Sequence, residues 1–310
     1  MRINLDSYPN LISVVIPTYN RRHLLQKAID SVLTQTYPHF ELIVVDDCST
    51  DGTEHFVKSL SDKRISYTKH KQNKHASASR NTGIKLSKGE FIAFLDDDDK
   101  WLPTKLEKQI ALIKRSSIST GLIYCWMDYI NQNEQITSTV RPTVKGNVFQ
   151  HVFDKQGIGG CPTLLIRKSV IKDCGFFDET LLRGNDGDFI RRICLKYKVD
   201  FIPEVLVKVS TEHGNSRISD NDTKGIKSSL FSYNTRLEKF SDILTKYPSQ
   251  TSNIYASIAY HHALLGNKKL VSKYMIKSIL INPLGIYKYR IFVKTLKDFV
   301  HYNYFNKPST

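Results

Sequence analysis

Long apolar runs are missing from this chain. No stretch approaches about 18 consecutive apolar residues, which argues against a helix crossing a bilayer. Cysteine is scarce and carries no pairing pattern. The five present (Cys48, Cys125, Cys161, Cys174, Cys194) are odd in number and form no C-x-x-C, so neither a disulfide framework nor a structural zinc site is expected, and a reducing cytosol is the default. Residues 1–20 reach a proline and a polar turn before a signal-peptide core builds up, so a secreted precursor is not expected. Acids are in deficit: 30 Asp and Glu face 45 Lys and Arg, a net charge of +15 that points to a nucleotide, nucleic acid or lipid headgroup as partner. What the chain does have is a core. With 310 residues, 40% hydrophobic and 24% charged, it suits one large or two ordinary folded domains and excludes a disordered or collagen-like chain.

The first hundred residues alternate short apolar runs with helical patterns. Residues 11–16, 40–45, 65–68 and 91–95 read as strands, and helices are expected after Asn20 as N-cap, after Ser49 or Asp51, over 76–86 with Gly89 closing it, and from Pro103. Continuous rather than alternating apolar strands imply a parallel sheet covered on both faces, in which ligands bind beyond the carboxyl ends of the strands. Three of these strands end on that edge in Pro17-Thr18-Tyr19-Asn20, in Asp46-Asp47 and in Asp96-Asp97-Asp98-Asp99. Residues 121–129 and 163–166 read as further strands and 186–197 as a helix. Beyond about residue 218 the pattern is all-helical: 230–244, 254–265, 270–280 and 286–300. The piece from Tyr255 to Pro283 looks like a single tetratricopeptide-like hairpin without a second copy.

Four consecutive aspartates after an apolar strand repel one another. They suit either a solvated loop capping the next helix or a site for a hard divalent cation, Mg²⁺ or Mn²⁺, that also holds phosphates. Trp101 and the position on the ligand edge favour the cation site. Asp46-Asp47 with Ser49 and Asp51-Gly52, taken alone, is better explained by ordinary capping and turn chemistry.

Four segments resemble the motifs of family 2 glycosyltransferases, in order and in spacing: Ser13-Val14-Val15-Ile16-Pro17-Thr18-Tyr19-Asn20-Arg21, Val44-Val45-Asp46-Asp47-Cys48-Ser49-Thr50-Asp51-Gly52, Ser79-Arg80-Asn81-Thr82-Gly83, and Phe94-Leu95-Asp96-Asp97-Asp98-Asp99. The resemblance spans roughly residues 11–218. It implies the A-type glycosyltransferase fold: an α/β protein with a mostly parallel Rossmann-like sheet. The catalytic domain would cover 1–218 (1–100 the nucleotide-sugar half, 101–218 the acceptor half), followed by a basic all-helical subdomain over 219–310. By position, the resemblance implies that Pro17 and Tyr19 line the base pocket, that Asp47 accepts a hydrogen bond from the base, and that Arg80 lies near the diphosphate. It also implies that Asp96 and Asp97 serve the nucleotide-sugar, Asp97 facing the ribose, and that Asp98 binds Mn²⁺ or Mg²⁺ directly. The chain departs from the family at Cys48 and His75, where glycine is usual.

In Gly184-Asn185-Asp186-Gly187-Asp188 the resemblance puts the catalytic base at Asp186, with Asn185 replacing the usual glutamate and Asp188 the competitor. Inverting sugar transfer needs one carboxylate to deprotonate the acceptor hydroxyl. Gly160 and Thr163 are expected at the acceptor, and His213 near the diphosphate or metal. Residues 266–310 hold nine Lys or Arg against Asp298 alone, a net +8, which favours an anionic membrane surface and a lipid-linked acceptor. The expectation is a cytoplasmic, peripherally membrane-associated, hexosyltransferase-type enzyme using a UDP-sugar to build a bacterial surface glycan. A polyprenyl-phosphate glycosyltransferase is the enzymatic alternative. A basic nucleic-acid binder is the remote one; no aromatic–basic recognition motif accompanies the charge, so nucleic acid is not expected as a partner.

Overall fold

The computed structural model describes residues 8–155, 157–211 and 222–285. The chain divides into two compact units, Met1–Thr180 with Asn185–Asn215, and Leu181–Gly184 with Ser216–Thr310.

The first unit opens with β1 (Tyr8–Thr18), α1 (Arg22–Leu33), β2 (Phe40–Asp46), α2 (Thr53–Ser59), β3 (Ile65–Lys69), α3 (His75–Leu86) and β4 (Gly89–Phe94). These four strands are mutually parallel in the order β3-β2-β1-β4, so all their carboxyl ends lie on one edge. Val14, Ile16, Leu42 and Val44 are buried with Leu25, Ala28, Ile29 and Val32 of α1, which recur at helical spacing. α3 lies so close to β1 that a Cβ on Gly83 would collide with the Val15 side chain.

Two local expectations change. β1 runs through Pro17 to Thr18, because its ladder with β4 has already stopped at Val15 while the β2 side continues past the proline. Gly89 does not close α3. It starts β4, where a Cβ would come within 2.6 Å of the Leu11 carbonyl.

The rest of the unit comprises β5 (Lys100–Trp101), α4 (Lys105–Arg115), β6 (Thr120–Ile130), β7 (Ile136–Val140), α5 (Phe149–Val152), β8 (Leu165–Arg167), α6 (Lys168–Cys174), α7 (Asn185–Lys196) and β9 (Lys198–Ser210). β8 enters antiparallel to β4 and β6, so the sheet is mixed from there on, in the order β3-β2-β1-β4-β8-β6-β9-β5. The sheet therefore does not break at residue 100. Pro203 falls where the β6–β9 register shifts, between Cys125↔Ile202 and Trp126↔Val205.

Under this sheet a lysine is fully buried. Lys105 Nζ donates to Gln109 Oε1 at 2.8 Å and lies 3.9 Å from the centre of the Trp101 ring. Burial pulls its pKa down to about 8. Below pH 8 both folded and unfolded chains carry the charge and the burial cost is fully present. Between about 8 and the ordinary lysine value the folded state loses its proton first, so stability rises with pH, by on the order of 3 kcal/mol at most. The melting temperature of the wild type is thus expected to rise relative to that of Lys105→Met between pH 7 and pH 10. Parallel pH curves for the two proteins would refute the assignment.

The second unit is helical where described: α8 (Thr223–Lys239), a 3₁₀ segment Ser241–Lys246, α9 (Pro248–Leu264) and α10 (Lys268–Ile281). Asp222 caps α8 by accepting from the Gly225 N–H at 2.7 Å. The expected hairpin is α9–α10, turning at Gly266 in the left-handed conformation. The helix expected over 286–300 lies outside the described residues. No helix among the described residues is long and apolar enough to cross a membrane.

Candidate active site

The parallel order brings four strand ends together, one more than the sequence suggested, because β3 also delivers His70 to this edge. The loops after β1 and β2 are tied to each other. Asn20, left-handed at φ 50°, donates its N–H to Ser49 Oγ at 2.8 Å and accepts from the Thr50 N–H at 2.7 Å. Asn20 is therefore not the N-cap of α1; Asp51 serves that helix instead, accepting from the Arg22 N–H at 2.9 Å.

Pro17 is buried at the end of β1 and Tyr19 stands 46% exposed just beyond it. Asp47 is buried and saturated: its oxygens accept from the backbone N–H groups of Lys74 (2.8 Å) and His75 (2.7 Å) and lie 2.7 Å from His70 Nδ1. It thereby holds the chain entering α3, with His75 left-handed at φ 66°. Cys48 is also left-handed, at φ 74°. At both sites the family's usual glycine would relax the backbone.

The aspartates after β4 divide their partners. Asp97 accepts from Thr18 Oγ1 at 2.8 Å and, at 3.2 Å, from Arg21, which also reaches Asp98 at 2.8 Å. Asp99 accepts from the Ser210 N–H at 3.2 Å. Asp96 accepts from Arg80 at 2.6 Å. Burial, then the neighbouring Asp98 charge, pushes Asp97 up to about 7 and Asp99 well above the usual carboxylate range. Burial raises Asp96 as well, against the pull of Arg80.

Arg80 links the two halves of the site. Its guanidinium reaches Asp96 and, at 3.3 Å, Asp186 at the start of α7, and sits 5.5 Å from the Phe177 ring centre. Burial works against its charge, but the Asp96 and Asp186 carboxylates more than offset this and hold its pKa above the ordinary value. The next residue, Asn81, clamps the backbone of Phe177 from both sides at 2.9 Å. Phe177 in turn stacks on Phe189 of α7 at 4.1 Å, which fixes the helix that carries Asp186. The second Asp186 oxygen accepts from the Cys161 N–H at 3.2 Å. Asp188 is turned the other way and bridges Arg192 at 2.9 Å.

One expected contact does not survive. Thr163 is fully buried, and its hydroxyl donates to the Gly160 carbonyl at 2.8 Å, so it closes a turn rather than facing an acceptor. The turn is anchored from below by Trp101 Nε1 on the Pro162 carbonyl (2.9 Å) and Gln109 on the Thr163 carbonyl (2.8 Å). Gly160 is only partly buried. His213 lies outside the described residues.

No group of three His, Cys, Asp or Glu side chains converges as a ready-made metal cage among the described residues. The site fits a divalent ion in another mode. Among the described residues five carboxylates, Asp96 to Asp99 and Asp186, gather beside the guanidinium groups of Arg21 and Arg80, and burial together with the neighbouring carboxylate charge raises Asp97 and Asp99. Mg²⁺-type ions are commonly held by one or two carboxylates plus substrate phosphates and water, which Asp98 and Asp96 can provide.

The sequence profile described as "Glycosyl transferase family 2" matches residues 13–175. The chain belongs to this family. A relative from Escherichia coli, the UDP-Glc:alpha-D-GlcNAc-diphosphoundecaprenol beta-1,3-glucosyltransferase WfgD, is 37% identical over 56% of this chain and 65% of its own length. Among solved structures, S. aureus TarS 1-349 in complex with UDP-GlcNAc superposes with a TM-score of 0.60 at 17% identity, covering 86% of this chain and 90% of that one. The mannosyltransferase PcManGT from Pyrobaculum calidifontis, in complex with GDP-Man and Mn²⁺, gives 0.52 at 16% identity over 93% and 87%. The glycosyltransferase thus has the A-type fold with a helical C-terminal region.

Sequence reasoning assigned no role to Arg21, Thr18, His70, Cys161 or Asp99 as partners within this cluster. Arg21 carried a usable signal, since it follows a strand end that must neighbour the acidic strand end. The N–H of Cys161 carried none, because a backbone donor can come from any residue but proline.

Proposed function

We propose that this glycosyltransferase moves a sugar, with inversion, from a UDP-sugar to a hydroxyl of a lipid-linked glycan in surface polysaccharide synthesis. The observation that carries this reading is the single Arg80 guanidinium shared by Asp96 and Asp186, which puts the donor-side acids and a candidate base on either side of one point. Asp186 holds the acceptor hydroxyl and takes its proton as the anomeric carbon is attacked. Arg80 orients that carboxylate and lies where the diphosphate departs. Tyr19 and Pro17 border the base, with Asp47 shaping the pocket through the 74–75 backbone and Gly160 beside the acceptor. Asp98 and Asp96 would hold Mn²⁺ or Mg²⁺, which when bound would supply Lewis-acid stabilisation of the leaving diphosphate. The UDP-glucose and undecaprenol-linked acceptor in the WfgD name, and the UDP-GlcNAc bound to TarS, support the donor and acceptor classes.

Calorimetry of UDP, GDP and dTDP with and without Mn²⁺, on wild type and Asp98→Ala, tests the donor site. UDP binding that needs both Mn²⁺ and Asp98 is expected. A preference for GDP or dTDP overturns the donor class, and no binding of any nucleotide overturns the reading.

A lipid-linked acceptor fits an enzyme working at an anionic cytoplasmic leaflet, with part of the basic region 266–310 against it. α10 supports this: Lys268, Lys269, Lys273 and Lys277 accompany exposed Ile276 and Leu280, with exposed Leu284 just beyond, and the helix carries no acid. Flotation with phosphatidylglycerol vesicles is expected to retain the full chain and lose the quadruple Lys→Glu variant of α10. Equal flotation of both would refute it.

A further inference from the structure

An arginine already sits on Asp98. Arg21 NH1 lies 2.8 Å from Asp98 Oδ2, on the carboxylate assigned above to the metal, and 3.2 Å from Asp97 Oδ1. This is not a loose surface contact. Arg21 is half-buried, and the residues on both sides of it are pinned: Asn20 to Ser49 and Thr50, the Arg22 N–H to Asp51. Arg21 therefore approaches the acids from a separate strand end, on a backbone held by the β2 loop.

We infer that Arg21 is an internal counter-ion that couples divalent-metal binding to binding of the donor diphosphate. The inference rests on the metal reading of Asp98. An arginine is charged at every working pH, so it cannot yield its place by losing a proton. A divalent ion taking the same oxygen meets a fixed positive charge at about the distance of two adjacent ligands, in a partly desolvated setting where repulsion is poorly screened. Without nucleotide, the arginine wins the carboxylates. A diphosphate brings its own negative charge, draws the guanidinium onto its oxygens and frees Asp98. By linkage, the factor by which UDP tightens metal binding equals the factor by which the metal tightens UDP, and such couplings typically run about 5- to 150-fold. The consequence is economy of a chemical kind: the metal enters with the donor and leaves with the nucleotide product.

The test is Mn²⁺ titration followed by electron paramagnetic resonance of the free ion, with and without UDP, on the full-length wild type, Arg21→Gln and Arg21→Lys. Thermal melts confirm that all three are folded. Arg21→Gln is expected to bind Mn²⁺ about tenfold more tightly than wild type without nucleotide, and the factor by which UDP improves that affinity is expected to fall about tenfold below the wild-type factor, the remainder being the direct ligation of the ion by the phosphates. Arg21→Lys, which keeps a charge but not the fork, is expected to restore part of the coupling. Unchanged or weaker Mn²⁺ binding by Arg21→Gln without UDP overturns the inference while leaving the metal reading intact. If the wild type takes up no Mn²⁺ even with UDP, the metal reading fails and the inference falls with it.

Discussion

Asp186→Asn is expected to lower kcat by about 10²- to 10⁴-fold, the range that general-base catalysis contributes. Metal-dependent UDP affinity should stay within about twofold of wild type. The substitution is nearly isosteric, and the amide oxygen can keep one of the two bonds that the separate carboxylate oxygens accept, from the Cys161 N–H or from Arg80. What disappears is the ability to take a proton. Asp188→Asn is the matched control. Its carboxylate is committed to Arg192, which also binds the carbonyls of Cys174, Gly175 and Phe176, so its loss should reach stability before it reaches kcat. Transfer assays with the donor identified by calorimetry decide between them. Near-wild-type transfer by Asp186→Asn would favour a phosphate acceptor, which needs little help in losing a proton.

Removal of the cation shared by the two halves of the site should have the largest effect on stability. Arg80→Met leaves Asp96 and Asp186 without the guanidinium that both accept from, and Asp96 is already raised by burial. Breaking a buried ion pair from one side costs about 3–5 kcal/mol, and since the Asp96 and Asp186 side chains are 33% and 23% exposed the loss here is expected at the low end, about 3 kcal/mol. In a catalytic unit of this size that corresponds to roughly 10 °C in melting temperature, at about 2–4 °C per kcal/mol. Two comparisons isolate the cause: Arg80→Met/Asp96→Asn should recover part of the loss, and lowering the pH should narrow the gap as the orphaned carboxylates protonate. A melting temperature within 2 °C of wild type would mean that the acids find other partners.

Much of this site could be read along the chain because its parts sit at strand ends. Continuous apolar runs followed by Asp46-Asp47 and by Asp96 to Asp99 announce a parallel sheet with an acidic edge, and motif order carries the family. Asp186 is proposed on the same kind of signal, its place in a short motif at a helix start. Thr163 was misread for a clear reason. Its neighbours Gly159-Gly160 suggest an open turn, but whether a hydroxyl faces substrate or its own turn depends on what lies beneath, here Trp101 and Gln109 from elements about 60 residues earlier.

The sequence by itself determined the strand–helix alternation, the acidic ligand edge and the membership of a glycosyltransferase family, because each depends on local pattern and spacing. The tertiary structure alone decided which charges meet. Arg80 bridges residues 16 and 106 positions away, and Arg21 reaches acids 76 and 77 positions on. A guanidinium's partners within about 3 Å follow from how strands order themselves in the sheet, and no local pattern encodes that order.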